Sequence, residues 1–177
     1  GHDNIAALRA PEHLALHPFA RMPAMRHGER TLYEAQAIMR YVDEAFDGPA
    51  LQPSDAYGRG LMTQWLSATN DYLNASFRVG IVINYVFPSG EGGKPDLAAI
   101  EAAAKAAGRQ APILDAALGE NEYLAGDSVS LADLLLLPIL LGAWRFPEGR
   151  AVLEPCANIG RWYQAMAGRD SMAATDP

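Results

Sequence analysis

The spacing of apolar residues changes period along the chain, and the changes mark out elements. Residues 22–25, "MPAM", and the stretch Thr31 to Tyr33 flank His27-Gly28, where a glycine suits a tight turn. A small β-hairpin is predicted there. Just upstream, "PEHLAL" (11–16) reads as a short helix with Pro11 in its first turn. After Leu32 the period lengthens. Ala35, Ile38, Met39, Val42 and Phe46 recur at helical spacing, and Asp47-Gly48-Pro49 is a stop signal.

The remainder reads as helix. Tyr57 to about Val86 carries Leu61, Trp65, Tyr72 and Phe77 on recurring faces, and "FPSGEGGKPD" (87–96) is a loop. Leu97 to Leu118 is Ala-rich and helical, with a kink or break expected at Pro112. Ser130 to Trp144 predicts an apolar helix, and "NIGRWYQAMAGR" (158–169) an amphipathic one followed by a polar tail. The apolar run Leu134 to Trp144 has 11 residues with Pro138 inside it. A membrane span needs about 20, so this is a buried helix. Two prolines and a glycine within residues 47–55 predict a linker between two domains.

Composition narrows the function classes. Lys and Arg number 14 against 21 Asp and Glu, a net charge of -7, which disfavours nucleic acid and anionic membranes as partners. Cys156 stands alone, so no internal disulfide can form, and a reducing, cytoplasmic setting is expected. No secretory signal is visible, and Gly1-His2 read as a remnant of tag removal. The histidines, at 2, 13, 17 and 27, have no cysteine or carboxylate cluster beside them, so no metal site is expected. Cys156 reads as a packed thiol rather than a nucleophile.

"LAGDSVSLADLLLL" (124–137) carries a helix-start signature. Ser130 is the expected N-cap, and Asp133, three residues on, can reach back to its N–H as a capping box. Val129 and Leu134 are placed for the accompanying hydrophobic staple. Such a cap contributes about 1 kcal/mol. The pattern favours this structural role for Asp133 over that of a catalytic carboxylate.

Three segments together resemble the glutathione S-transferase family, of bacterial cytosolic type. They are "HPFARMPAM…GERTLYEAQAIMRYVDE", "YLAGDSVSLADLLLLPIL" and "NIGRWYQAMAGR", in the family's order and across most of the chain. The first matches a loop, a cis proline, a hairpin and a helix opening on an acidic-hydroxyl pair. The resemblance implies an α/β domain followed by an all-α one. These are a partial thioredoxin-like domain at 1–46, a linker at 47–56 and a helical domain at 57–177. The strand-helix-strand that opens the family's first domain is expected to be missing from the sequence. With it would go the Ser, Tyr or Cys that activates the thiol, so the catalytic residue is unknown.

The resemblance also implies roles. Met22, before cis Pro23, would offer its backbone to the cysteinyl unit of glutathione. Arg21 would lie near the glycyl carboxylate, or be a solvated surface residue. Glu34 and Ala35 match the acidic-hydroxyl pair that receives the γ-glutamyl end, with Ala35 where a Ser or Thr is usual. Phe19 would plug into a partner subunit or pack in the core. Trp65, Tyr72 and Phe77 would line the pocket for an apolar second substrate, or be core. Asn70 or Asp71 would reach the γ-glutamyl amine across a dimer. The function implied is a glutathione-dependent transferase in detoxification, with glutathione as co-substrate, no metal, and a homodimer that binds neither nucleic acid nor membrane. The alternative is a non-catalytic dimeric scaffold for protein partners.

Overall fold

The computed structural model describes residues 6–175, so Gly1 and His2 lie outside the described residues. Two compact units meet in sequence between Gln52 and Pro53. The boundary falls within the stretch 47–56.

The first unit is small. A short helix, α1 (Pro11–Leu14), opens on its proline. Strands β1 (Ala24–His27) and β2 (Arg30–Tyr33) pair antiparallel, with Ala24 opposite Tyr33 and His27 opposite Arg30. That register leaves a two-residue turn whose first residue, Gly28, has φ 60°. Such a turn demands a residue free to take positive φ. Helix α2 (Ala35–Ala45) lies against both strands through a half-buried face of Ile38, Met39 and Tyr41. Beyond it, the Leu51 N–H and the Gln52 amide donate to the Asp43 carboxylate at 2.8 and 3.0 Å. Residues up to Gln52 are therefore tied back onto α2.

The second unit is all helix. The Asp55 carboxylate accepts from the Gly58 N–H at 2.9 Å and caps α3 (Ala56–Ala68). That bond holds the Asp55 carboxyl below its ordinary range. The rod continues as a π-wound segment (Thr69–Ile83) and a final turn (Asn84–Val86). Within the π-wound stretch Thr69, Leu73, Phe77 and Ile81, each four apart, are buried. Then follow α4 (Leu97–Glu120), capped by Asp96, and α5 (Leu131–Trp144). Helices α6 (Pro147–Leu153), α7 (Ala157–Ala167) and α8 (Asp170–Thr175) complete the unit. The π-wound segment packs on α4 and α5, while α4 also meets α6 and α7. Leu66, Phe77, Leu114, Leu118, Leu136, Leu140 and Trp162 are completely buried between them. Each such side chain contributes about 1.5–3 kcal/mol in transfer terms. Gly80 allows the closest approach: a Cβ there would sit 2.3 Å from the Ala103 Cβ.

Three details refine the expectations. Pro112 does not break α4, which runs unbroken from Leu97 to Glu120. Packing on three neighbours then outweighs the one missing hydrogen bond, a cost of about 3 kcal/mol. The polar tail carries a short helix, α8. The short helix α6, opened by Pro147, was not marked by any apolar period.

Candidate functional site

The hairpin register decides what lies together in the first unit. Because Ala24 pairs with Tyr33, the residues just outside the ladder, Met22-Pro23 and Glu34-Ala35, share one open end of the hairpin. The Met22–Pro23 peptide is cis. Met22 is 72 % exposed. On the adjoining strand Glu34 sits at φ 69°, ψ 121°, then hands the chain to α2 at Ala35. A non-glycine residue there costs about 1–3 kcal/mol, and such strain gathers at ligand-holding positions.

The head of α2 suits an anion. The N-cap residue, Glu34, gives no side-chain hydrogen bond to the first turn. First-turn N–H groups and the positive end of the helix dipole thus point to the open end of the hairpin. The Glu34 carboxylate is exposed at the same place, ready for a cation. A zwitterion with a carboxylate and an ammonium side by side would satisfy both. Arg21, next to Met22, is exposed and adds a guanidinium. Ala35 supplies its N–H but no hydroxyl.

Behind this end stands a ring column. His17 is the buried member, 1 % exposed, with no hydrogen-bond partner at Nδ1. It stacks on His13 at 6.2 Å and leans on Tyr33 at 4.9 Å. Phe19, 67 % exposed, meets His17 and Tyr33 edge-on. So Phe19 is a surface residue braced from behind, not a core residue. His27, near the turn, is hydrogen-bonded through Nδ1 to the Tyr41 hydroxyl at 2.7 Å. Among the described residues no group of three or more His, Cys, Asp or Glu converges as a metal site would, and no helix is long and apolar enough to cross a membrane.

The second unit carries an apolar groove of about 270 Å³ between the π-wound segment and α4. Trp65, Tyr72, Leu73, Ile113 and Leu114 line it. Trp65 and Tyr72 are thus together, as a pocket requires. Phe77 is not with them: it is wholly buried in the core. Helical spacing marks an apolar face but not how deep each member lies. Asn70 and Asp71 are exposed on the same segment.

Ser130 and Asp133 form the capping box, and Asp133 does more than cap. Its Oδ2 accepts from the Ser130 N–H at 2.9 Å and the Ser130 hydroxyl at 2.7 Å. Its Oδ1 accepts from the Leu124 N–H at 3.0 Å and Trp162 Nε1–H at 2.8 Å. The side chain is fully buried, which fits a structural role. Cys156 is half-buried, and burial, with help from the Asp115 charge, pushes its thiol pKa up. That is the wrong direction for a nucleophile.

Comparison with known proteins follows this geometry. The family description "Glutathione S-transferase, N-terminal domain" matches residues 4–44, and "Glutathione S-transferase, C-terminal domain" matches 76–170. Glutathione S-transferase 3 of Zea mays is 33 % identical over 175 residues, covering 96 % of this chain and 76 % of its own. Glutathione S-transferase F10 of Arabidopsis thaliana is 32 % identical over 167 residues, 91 % of this chain and 75 % of its own. A crystal structure of glutathione S-transferase I from mais, in complex with an atrazine glutathione conjugate, superposes with a TM-score of 0.84. It is 25 % identical and covers 96 % of this chain and 78 % of that one.

Proposed function

The chain belongs to the glutathione S-transferase family, and from that premise we propose that glutathione docks at the open end of the hairpin and gives up its thiolate to an apolar electrophile. One observation carries the reading: the cis Met22–Pro23 backbone and the head of α2 flank the same strand pair. The Met22 N–H and C=O pair with the cysteinyl unit as a strand edge would. The γ-glutamyl carboxylate takes the first-turn N–H groups of α2, and Glu34 faces its ammonium. Arg21 serves the glycyl carboxylate.

The reaction is a transfer. The thiol loses its proton, the sulfur lone pair attacks an electrophilic carbon, and a C–S bond forms as the leaving group departs with the bonding electrons. A relative that holds an atrazine glutathione conjugate indicates the electrophile's character: an activated, largely apolar ring. The Trp65–Tyr72 groove suits such a molecule in chemistry. Exposed Phe19 fits a homodimer contact, and a cytoplasmic setting accords with a lone unpaired cysteine.

Retention on immobilised glutathione, followed by a conjugation assay with an aryl halide, tests this. Binding with turnover supports a transferase. Ala35, which removes a hydroxyl from the γ-glutamyl end, favours the second reading of a dimeric scaffold for protein partners. Absence of both retention and turnover would leave that reading standing and end the first.

A further inference from the structure

His13 donates a hydrogen bond through Nε2 to the Arg21 carbonyl at 2.8 Å. A carbonyl can only accept, so Nε2 carries the proton. This bond crosses from α1 to the loop directly before Met22, eight residues along the chain. The loop needs such a restraint. Ala20 takes φ 54°, an uncommon conformation for a residue with a Cβ, and Arg21 and Met22 are exposed. His13 has a second contact: its ring stacks on buried His17, interplanar angle 15°, and His17 lies against Tyr33. Tyr33 directly precedes Glu34. One column of rings therefore reaches both lips of the open hairpin end.

We propose that His13 is a positioning residue for glutathione: it fixes the Arg21–Met22 backbone, and through His17 and Tyr33 it sets the spacing between that backbone and the head of α2. The inference rests on the docking reading above. It extends it by placing an affinity determinant on α1, in a side chain that need not touch the tripeptide. A backbone aimed correctly before binding loses less freedom when the ligand arrives, so the effect falls on affinity. The expected signature is a loss carried mainly by affinity rather than by kcat.

Three variants separate donor from packing. His13→Phe keeps a ring to stack on His17 and removes the donor. His13→Gln keeps a donor of similar reach. His13→Met removes the donor without a ring and serves if the Phe variant does not fold. Calorimetric titration with glutathione is expected to show about a three- to tenfold weaker Kd for His13→Phe, the range one lost hydrogen bond allows. His13→Gln is expected to stay within about twofold of wild type in Kd. Wild-type affinity in His13→Phe, or equal loss in His13→Phe and His13→Gln, would overturn the proposal. A wild-type protein that does not bind glutathione would overturn the docking reading itself, a result visible before any variant is made.

Discussion

Replacing Asp133 is the sharpest test of how the helical unit holds together. Four donors converge on its carboxylate: the Ser130 N–H and hydroxyl on Oδ2, the Leu124 N–H and Trp162 Nε1–H on Oδ1. The residue is fully buried, as are Leu124 and Trp162. Asp133→Ala strips every acceptor at once. The Ser130 hydroxyl can rotate away, but three N–H groups are left behind in the interior. Each orphaned donor costs about 1–3 kcal/mol. The sum would reach 3–9, and relief of the buried charge's desolvation offsets part of it, leaving roughly 3–5 kcal/mol. Against a total stability of about 5–15 kcal/mol that is a large share. Asp133→Asn is milder: it keeps one oxygen, while its NH2 group faces two donors, and roughly 2–4 kcal/mol is lost. Guanidinium unfolding followed by helical circular dichroism measures both, and the Ala variant should melt on the order of 10 °C lower. Coupling to Trp162→Phe in a double-mutant cycle should be about 1–3 kcal/mol. An Asp133→Ala protein within about 1 kcal/mol of wild type would refute the claim that this carboxylate ties the 124 loop, α5 and α7 into one unit.

Gly80→Ala forces a Cβ to within 2.3 Å of the Ala103 Cβ and should cost about 1–3 kcal/mol. Gly160→Ala, in open space on α7, should instead stabilise by up to about 1 kcal/mol in the same unfolding assay. Glu34→Gly removes the strain of φ 69° and should raise stability by about 1 kcal/mol while weakening glutathione about tenfold. Glu34→Ala should weaken binding without that gain, and equal stabilities of the two variants would count against strain at this position. Cys156, its pKa raised by burial and then by Asp115, holds less thiolate at any given pH than a free thiol. Its alkylation at pH 7.5 should be slower than that of unfolded protein and should quicken as pH rises.

Local chemistry was legible in the sequence wherever a signal spans a few residues. The 2-to-3.6 change of period after Leu32 gave the hairpin and α2, and the Ser130–Asp133 spacing gave the capping box. Tertiary partners were not legible. Nothing near Asp133 announces Trp162, 29 residues away, because that bond exists only once α7 packs beside α5. Likewise, spacing put Phe77 on an apolar face with Trp65 and Tyr72. Only packing shows it buried while Tyr72 stays 61 % exposed in the groove. At the candidate site, Met22, Pro23, Glu34 and Ala35 came from motif resemblance, and the strand register explains why they belong together. His13 was visible only as one of four histidines, since its acceptor is a backbone carbonyl, which no residue type encodes.

The account stands or falls on where the tripeptide sits. Titrating glutathione into isotope-labelled protein and following backbone amide resonances reports this directly. The amides of Met22, Glu34, Ala35 and Gln36 should shift together and saturate at a common Kd. Saturable shifts confined to other residues, or none at all, would contradict it.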